Sequence, residues 1–478
     1  MDLLPVIIVL LNICFAISII FIERKTPEIA LAWLTVLVFL PVLGFLVYLA
    51  FGRNFYRTKL FKLKEEEDKK LEALVTAQIS DVTRIDEQSE DENKDRFLRV
   101  IRMLLTSNNA LVTRDNAVEI YTDGVEKFKA LFAEIEKATV FVHVQYFYIS
   151  PDGLGREFRD LLTRKAKEGV EVKVLVDGLP FTFTSRNFWK PLKDAGGNYA
   201  IFFPGFLRYI NFRFNNRNHR KIVVIDGKTA FCGGFNVGDD YIGKGKIGYW
   251  RDTHIKINGK AALPLEMRFL MDWNYAAKKD TLEFSSRYFP QVEDGGTAVL
   301  QVISSGPDNE HNQIKEAYLK LINTAKDSVY IQTPYFIPDQ SIFDALRLAA
   351  LSGVDVKIMI PCKPDHPLVY TINHAFIRDM LHSGVKAYTY DDGFIHSKTV
   401  VIDGMVASVG SANWDIRSFK LNFETNVLIY NPEYASRLMN IFEQDLKKST
   451  EITLESFDKR PVHEKIWEPI ARLFSPIL

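Results

Sequence analysis

Two segments of the sequence carry the same polar side chains at the same spacing, and both read H-x-K-x4-D-x6-G-[GS]-x-N. The members are His219, Lys221, Asp226 and Asn236 in the first copy and His396, Lys398, Asp403 and Asn413 in the second. A neutral imidazole can attack phosphorus or transfer a proton near neutral pH. Lysine ammonium and asparagine amide groups can hold the non-bridging oxygens of a phosphate. These residue types therefore predict chemistry on a phosphodiester.

Two histidines are what a two-step displacement at phosphorus requires. One imidazole would attack phosphorus, and the other would act first as an acid and then as a base. We expect His219 to attack and His396 to transfer the proton, although the similarity of the motifs leaves the reverse open. Because Lys221 and Lys398 would carry the phosphate charge, no metal ion or other cofactor is expected. The alternative is a pair of core hairpins with ordinary buried histidines, but two chance copies of the whole pattern are far rarer.

The same succession of elements precedes each motif and must position it. Strands are predicted at 140–148 and 169–176 in the first copy and at 328–336 and 353–360 in the second, with amphipathic helices at 155–168 and 341–352. In a strand, side chains at i and i+2 share a face, so His-x-Lys presents both groups on one side. The pattern predicts an α/β unit that is used twice.

An acidic residue follows each motif at the start of a further apolar strand: Asp252 in the first repeat and Glu424 in the second. A buried carboxylate beside an imidazole fixes its tautomer and stabilises its cationic form. We expect Asp252 to orient His219 and Glu424 to orient His396, each within its own repeat. A surface acid at a strand start is the alternative.

The aspartates inside the motifs, Asp226 and Asp403, each precede a glycine. An Asp-Gly pair favours a tight turn between two strands. Their expected role is to hold the fold of the site from behind the histidines.

The repeated motif resembles the paired HKD motif of the phospholipase D superfamily, and the flanking segments resemble bacterial cardiolipin synthases over nearly the whole chain. The segments are NRNHRK at 216–221, WRDTH at 250–254, PDH at 364–366 and SANWDIRSF at 411–419. The resemblance implies two phospholipase D-like lobes in tandem, packed face to face about a pseudo-two-fold axis, with both motifs in one cleft. The residues that it implies as catalytic are His219, Lys221, Asp226, His396, Lys398 and Asp403, with phosphate contacts from Asn236 and Asn413.

The reaction that the resemblance implies is transfer of a phosphatidyl group from one phosphatidylglycerol to another, with release of glycerol, through a phosphohistidine. The expected partners are phosphatidylglycerol and other membrane lipids. Three alternatives stay open: a membrane-anchored hydrolase of phospholipids, a phosphodiesterase acting on nucleic acid, and a scaffold without activity. Whether the protein forms a homodimer is also open.

Composition restricts these alternatives. The 478 residues include 60 basic and 60 acidic side chains, so the formal net charge is zero. A general nucleic-acid binder would usually be clearly basic, and no nucleic-acid partner is expected. The three cysteines, Cys14, Cys232 and Cys362, contain no C-x-x-C pair and predict neither a disulfide framework nor a zinc site.

The chain begins with two apolar runs, at 3–22 and 29–51. About 20 residues of helix span roughly 30 Å, the thickness of the hydrocarbon layer, so the runs predict a transmembrane hairpin; two buried core helices are the alternative. More basic residues follow the second run than lie in the turn, which favours a multi-pass protein with its catalytic region in the cytoplasm. The resemblance implies that the membrane is the bacterial inner membrane. The predicted domains are 1–57 (two transmembrane helices), 58–108 (charged linker), 109–295 (first repeat) and 296–478 (second repeat).

Several other features suggest lipid contact or an entrance to the site. Aromatic residues alternate with Arg208 and Arg213 in 201–214, and apolar residues alternate with basic ones in 457–478. Either segment could lie at a membrane surface or pack on the core. Asp365 and His366 could line the substrate entrance, and the histidines outside the motifs lack the spacing of metal ligands.

Overall fold

The structure is a computed structural model, and it describes residues 3–22, 27–48, 72–84, 92–178, 186–203, 216–245, 247–293, 295–309, 311–473 and 475. The chain forms two compact units: Met1–Arg57 with Pro204–Asn216, and Thr58–Phe203 with Arg217–Leu478. Both histidines and both lysines of the repeated motif lie in the second of these, the catalytic unit.

The N-terminal unit is helical in its described part. Its elements are α1 (Leu3–Ile17) with a π-helical end (Ser18–Ile22), α2 (Pro27–Phe39) and α3 (Pro41–Val47). The amide of Asn12 donates to the carbonyl of Pro41 at 2.9 Å, so the polar group of α1 is satisfied inside the unit. Many large apolar side chains are exposed, including Phe21 and Phe39 at 76% and 77%.

The described helices do not reach the length and apolar character that a bilayer crossing needs. The last three residues of the second predicted run, 49–51, lie outside the described residues, as do the basic positions on which the predicted orientation depends.

In its described residues, the first half of the catalytic unit contains eight strands: β1 (Val112–Tyr121), β2 (Phe141–Tyr146), β3 (Glu171–Asp177), β4 (Asn198–Phe202), β5 (Ile222–Ile225), β6 (Thr229–Gly233), β7 (Trp250–Arg251) and β8 (His254–Asn258). The second half contains β9 (Ala298–Ser305), β10 (Ser328–Gln332), β11 (Phe336–Ile337), β12 (Asp355–Pro361), β13 (Lys386–Tyr390), β14 (Phe394–Ile395), β15 (Thr399–Ile402), β16 (Val406–Gly410), β17 (Trp414–Asp415), β18 (Glu424–Ile429) and β19 (Ser449–Ile452). The β-branched residues of β5 and β15 are all buried, as suits central strands.

Helices cover the sheet. Besides the helix at 72–84 they are α4 (Glu92–Asn108), α5 (Gly124–Glu136), α6 (Gly153–Lys167), α7 (Lys190–Asp194), α8 (Ala262–Ala276), α9 (Gln313–Ile322), α10 (Gln340–Leu351), α11 (Pro367–Leu381), α12 (Ile416–Lys420), α13 (Pro432–Leu446), α14 (Leu454–Asp458) and α15 (Val462–Arg472). The predicted amphipathic helices correspond to α6 and α10. In α6, Leu154, Phe158 and Leu162 recur every four residues and are buried.

Fifteen strands form one sheet in the order β19-β13-β12-β10-β15-β16-β18-β9-β1-β8-β6-β5-β2-β3-β4. The antiparallel pair β1–β9 lies at the junction of the two halves. Outward from this pair, each half continues with four antiparallel strand pairings and then two parallel ones. The order is therefore the same in both directions, as a pseudo-two-fold relation requires, and β19 alone has no counterpart.

Side chains from both halves also meet in one hydrophobic cluster. Members from β6 and β8 are Ala230, Cys232 and Ile255, and members from β16 and β18 are Ala407, Val409 and Val427. The α/β architecture with two tandem repeats is thus confirmed, and the repeats share a core instead of standing as separate domains.

Part of the predicted charged linker packs on the catalytic unit. In the helix at 72–84, Val75 and Val82 are buried against Ile101 and Leu105 of α4. The side chain of Gln78 makes two hydrogen bonds of 2.9 Å with the backbone of Val112, and these attach the helix to the first residue of β1.

Candidate active site

The first histidine is positioned by a backbone bridge to the second half. The N–H of His219 donates to the carbonyl of Phe423 at 2.9 Å, and the N–H of Phe423 donates to the carbonyl of Arg217 at 2.7 Å. Because Glu424 follows Phe423 directly, its carboxylate reaches the imidazole. Nδ1 of His219 lies 2.9 and 3.0 Å from the two carboxylate oxygens.

The second histidine is positioned in the same way by the first half. β14 pairs in parallel with β7, and the N–H of His396 donates to the carbonyl of Arg251 at 2.7 Å. Asp252 follows Arg251 directly, and its Oδ2 lies 2.6 Å from Nδ1 of His396.

The predicted pairing of acids and histidines is therefore wrong. Glu424 contacts His219, and Asp252 contacts His396, each across the junction between the repeats. The reason is the strand pairing: the segment before each motif hydrogen-bonds to the segment before the acid of the opposite repeat. Proximity along the chain, on which the prediction relied, does not determine these neighbours.

The contacts set the chemistry of the two rings. When Nδ1 carries a proton that it donates to a carboxylate, Nε2 keeps a lone pair for a reaction. Aromatic neighbours restrict the orientation of both imidazole rings. The ring centroid of Phe147 lies 5.1 Å from that of His219, and the centroid of Trp250 lies 5.2 Å from that of His396. The side chains remain 12% and 8% exposed, so a substrate can reach them.

Both imidazoles are held neutral near pH 7. Burial lowers the pKa of His396 to about 4, and the charge of Lys398 adds to the fall while Asp252 opposes it. Burial also lowers the pKa of His219, against the opposing charge of Glu424. A neutral ring is the form that can attack phosphorus.

The two lysines lie beside the histidines that precede them. Nζ of Lys221 donates to the carbonyl of His219 at 2.7 Å, and Nζ of Lys398 donates to the carbonyl of His396. Burial lowers the pKa of Lys221 to about 7, with a contribution from the charge of Lys398, and burial lowers that of Lys398 to about 8. A buried ammonium whose protonation is disfavoured by burial and by a second cation is stabilised when an anion binds beside it.

Asn236 of the first motif lies near the second histidine. Its Nδ2 donates to the hydroxyl of Tyr241 at 2.6 Å, and the Tyr241 ring lies 5.9 Å from that of His396. Asn413 lies beside α12, where its N–H donates to Ser418. Within the described protein, Oδ1 of Asn236 and Oδ1 of Asn413 are buried and make no hydrogen bond, so each asparagine keeps a polar atom that the protein does not pair.

The aspartates of the motifs do not lie with the histidines, and grouping them with the catalytic side chains is wrong in position. Asp226 follows β5 at the end opposite His219 and accepts hydrogen bonds of 2.8–2.9 Å from Thr139, Val140 and Phe141. Its φ of 51° forms the tight turn that the Asp-Gly pair predicts. The carboxylate holds the start of β2.

Asp403 has the same place in the second half, with φ 52°. It accepts from the backbone of Lys326, Asp327 and Ser328 at 2.7–2.9 Å. The guanidinium of Arg96 donates to it at 2.6 Å, so it also fastens α4 to the turn. The expected fold-holding role thus agrees with the geometry of both aspartates.

Sequence reasoning missed two buried acid–arginine pairs behind the histidines. Arg220 donates to Asp272 of α8 at 2.5 Å, and Arg251 donates to Asp445 of α13 at 2.5 Å. Gln145 and Gln332, at the same place in β2 and β10, donate to these two acids. A signal was present in the sequence. A Gln recurs in the equivalent predicted strands, and an acid recurs late in the helices that follow β8 and β18.

The other predicted residues have mixed outcomes. Arg208 and Arg213 lie outside the described residues. The hydroxyl of Tyr335 donates to Asp365, whose charge acts on Lys398, so this loop lies near the second motif. His366 is the N-cap residue of α11; its side chain makes no capping hydrogen bond and is exposed.

Comparison with known proteins agrees with this geometry. The family model described as cardiolipin synthase, PLD-like domain, matches residues 131–246 and 318–446, one match in each half. A cardiolipin synthase of Staphylococcus aureus is 48% identical over 98% of this chain and 95% of that protein. The chain belongs to the cardiolipin synthases of the phospholipase D superfamily. It is therefore an enzyme of that superfamily.

Further relatives of this cardiolipin synthase family member match it over nearly its whole length, including the N-terminal region. The major cardiolipin synthase of Bacillus subtilis is 47% identical over 98% of both chains. A second family model, the phospholipase D-nuclease N-terminal region, matches residues 10–53. The crystal structure of a phosphatidylserine synthase from Haemophilus influenzae shares the fold, with a TM-score of 0.60 at 18% identity over 80% of this chain and all of that one.

Proposed function

We propose that the enzyme transfers a phosphatidyl group from one phosphatidylglycerol to another and releases glycerol, which makes cardiolipin. The observation that carries the proposal is the reciprocal pair of imidazoles, each held at Nδ1 by a carboxylate from the opposite half. The names of the relatives at 47–48% identity support the choice of substrate and product.

In the first step, Nε2 of one histidine attacks the phosphorus of a phosphatidylglycerol. A phosphorus–nitrogen bond forms, and the bond between phosphorus and the glycerol oxygen breaks. The second histidine donates a proton to the departing oxygen, which leaves as glycerol. Because Nδ1 of each ring faces a carboxylate, each ring is stabilised while it carries positive charge.

The lysines and asparagines stabilise the phosphate during this step. The negative charge of the diester favours the protonated forms of Lys221 and Lys398, whose pKa values lie near 7 and 8 without it. The same charge favours protonation of the histidine that must act as an acid. Substrate binding thus favours the protonated forms of the two lysines and of the histidine that acts as an acid, which burial disfavours in the absence of substrate.

In the second step, a hydroxyl of another phosphatidylglycerol attacks the phosphohistidine. The histidine that served as acid now removes the hydroxyl proton, and the phosphorus–nitrogen bond breaks. Both rings return to their starting forms, and the products are one cardiolipin and one glycerol. Water in place of the lipid hydroxyl would give phosphatidic acid, so exclusion of water decides between transfer and hydrolysis.

We assign the attack to His219 and the proton transfer to His396. The support is the environment of Glu424: although burial alone would raise its pKa, His219, Lys221 and Ser411 lower it. Ser411 donates to Glu424 at 2.5 Å. A carboxylate held ionised next to His219 favours the cationic phosphohistidine.

The N-terminal unit is proposed to anchor the enzyme in a bacterial inner membrane as a hairpin of two passes, with the catalytic unit in the cytoplasm. Exposed large side chains on α1, α2 and α3 support an apolar environment, since such patches are unusual in water. The match at residues 10–53 to a phospholipase D-nuclease N-terminal family supports it as well.

The decisive experiment uses purified full-length protein in mixed micelles with phosphatidylglycerol as the only phospholipid. Mass spectrometry of the products should show cardiolipin and glycerol. His219→Ala and His396→Ala should abolish both, and His382→Ala, at an exposed histidine that ends α11, should leave them unchanged. Phosphatidic acid with glycerol would indicate the hydrolase instead, and no turnover would contradict both.

A phosphodiester with an activated leaving group, such as p-nitrophenol, separates the two histidines. Such a group needs no proton to depart. His396→Ala should therefore still release p-nitrophenol in a first turnover, whereas His219→Ala should not. The reverse pattern would exchange the two roles.

A further inference from the structure

The last helix of the catalytic unit turns its apolar side chains away from the protein. The exposed fractions along α15 and at the residue after it are 69% for Val462, 62% for Ile466, 47% for Trp467, 43% for Ile470 and 78% for Leu473. At 3.6 residues per turn these five side chains fall within an arc of about 140°. They form the apolar arc of α15.

The opposite side of α15 fastens the helix to the core. Ala471 and Glu468 are buried, and Arg460 donates to Glu468 at 2.6 Å. Arg472 donates to Asp379 of α11 at 2.5 Å. A surface helix of a soluble protein normally buries its apolar stripe and exposes its charges. In α15 the apolar stripe is exposed, and the two ion pairs hold the helix in this orientation.

The apolar arc itself carries no carboxylate. By the same helical spacing Glu468 projects inward, where it is buried, whereas exposed Glu464 and exposed Lys465 lie outside the arc on either side of it. His463 is the one titratable side chain of α15 that falls within the arc. The outward face is thus apolar, and the charges at its two edges are of opposite sign.

We propose that α15 docks the catalytic unit on the surface of the lipid bilayer that holds its substrate, with the apolar arc in the interfacial layer. Tryptophan and aliphatic side chains favour this depth, and polar side chains at the edges of the arc can stay in contact with water and headgroups. The inference rests on the proposed function, because a phosphatidylglycerol substrate lies in a bilayer. It adds a membrane contact on the catalytic unit itself.

Docking through α15 makes a kinetic prediction. In the anchored enzyme the helix holds the catalytic unit against the surface and takes no part in bond making, so its loss raises the mole fraction of phosphatidylglycerol in the bilayer that is required for half-maximal rate. The maximal rate at a saturating mole fraction stays the same. A phosphatidylglycerol with short chains, dissolved below its micelle concentration, bypasses the surface and is insensitive to the change.

The first test places Trp467 in the bilayer. Full-length protein is reconstituted in vesicles of phosphatidylethanolamine and phosphatidylglycerol with brominated acyl chains, which quench nearby tryptophan. The difference in emission between wild type and Trp467→Phe reports this residue alone. It should be strongly quenched by bromolipid, and an unquenched difference would overturn the proposal.

The second test is kinetic. Ile466→Ser with Ile470→Ser should raise the KM for vesicle phosphatidylglycerol about tenfold with kcat unchanged, since two large apolar side chains leave the interface. The KM for the soluble short-chain substrate should change less than twofold. The matched control, Leu348→Ser with Leu351→Ser, removes two exposed apolar residues from α10 and should change neither constant.

Each remaining outcome has a meaning. Equal KM values for the double variant and wild type on vesicles would overturn docking through α15. If the arc is covered by a second copy of the chain, Trp467 will be unquenched and the double variant will dissociate a dimer in light scattering, which also overturns it. Absence of cardiolipin from the soluble substrate, with Trp467 quenched, would contradict the proposed function and leave the membrane contact standing.

Discussion

The two halves of the catalytic unit are alike in topology and unlike in the carboxylates that serve their histidines. Seven strands of each half correspond in order and direction around the β1–β9 junction. In the first half, His219 is held by two oxygens of a glutamate at 2.9 and 3.0 Å. In the second half, His396 is held by one oxygen of an aspartate at 2.6 Å. Equivalent positions thus received acids of different length.

The residues behind the acids differ to match. Ser411 donates to Glu424 and helps keep it ionised. Its counterpart in the first half is Gly234, where an added Cβ would lie 2.0 Å from Oδ1 of Asp252. The glutamate is thus accompanied by a serine that donates to it, and the aspartate by a glycine that leaves room for its carboxylate.

The buried arginines show the same exchange between halves. Arg220 belongs to the first motif and pairs with Asp272 of its own half. The counterpart of Arg220 is Ser397, which is hydrogen-bonded at 2.8 Å to Arg251 of the first half, and Arg251 pairs with Asp445. Each repeat on its own lacks the acid that orients its histidine, so the active site requires both.

The largest expected effect comes from removing the orienting carboxylates. Glu424→Gln and Asp252→Asn should each lower kcat about 10³-fold, since an amide imposes the wrong tautomer on the histidine. With the activated p-nitrophenyl substrate, the first turnover should recover in Asp252→Asn and stay slow in Glu424→Gln. The measurement is the burst of p-nitrophenol in stopped flow.

The same pair of variants tests the crossed pairing. If each acid served the histidine of its own repeat, Asp252→Asn would impair the attack and Glu424→Gln would impair the proton transfer. Recovery of the burst in Glu424→Gln alone would therefore contradict either the pairing or the assignment of roles. The single-histidine variants decide which.

A smaller loss is expected from Gly234→Ala. The new methyl group cannot coexist with the carboxylate of Asp252 as placed, so His396 loses its alignment. A displacement near 1 Å in such a site costs about 10²-fold in kcat. Gly295→Ala is the control, because its nearest neighbour would lie at 3.4 Å, an ordinary contact. Equal activity of the two variants would show that Asp252 can move without consequence.

The lysines should give the pH profile its alkaline limb. Below a pKa of about 7 for Lys221 and about 8 for Lys398, each ammonium is present and can bind phosphate. As pH rises through these values the charges are lost in turn, so kcat/KM should fall about tenfold per unit between about pH 7 and 8 and about a hundredfold per unit above about pH 8. On the acid side kcat/KM should fall only when the attacking ring of His219 becomes protonated, and burial lowers the pKa of that ring below its ordinary value.

A lysine variant sharpens this prediction. The charge of Lys398 is one cause of the lowered pKa of Lys221. In Lys398→Met, activity should be lower throughout, and the remaining alkaline limb should move to higher pH. A limb that stays in place, or a profile without any limb up to pH 10, would show that these lysines do not control binding.

The smallest kinetic effect is expected at the aspartates of the motifs. Asp226→Asn and Asp403→Asn should leave kcat within about threefold and reduce the free energy of unfolding by about 1–3 kcal/mol, the range for lost hydrogen bonds to buried groups. Asp403→Asn should cost more, because Arg96 also loses a partner. Thermal unfolding followed by circular dichroism measures the difference. A loss of activity as large as that of the histidine variants, with unchanged stability, would restore a catalytic role.

Much of the fold and the site could be predicted from the sequence. The strand–helix–strand order of each repeat and the tight turns after β5 and β15 follow from local patterns that report burial and spacing. That both motifs meet in one site was predicted from the family resemblance alone. The arginine–aspartate pairs were not predicted. The acids and glutamines recur in both repeats, but their recurrence does not show that an arginine 52 or 194 residues away will reach each acid.

The sequence by itself determined which side chains can do the chemistry, because residue type and spacing in a strand decide what one face presents. Only the tertiary structure decided which acid serves which histidine. Glu424 reaches His219 across 205 residues, and Asp252 reaches His396 across 144. These contacts depend on backbone pairing between the two halves, which forms when the sheet closes around the β1–β9 junction, and no local pattern encodes it.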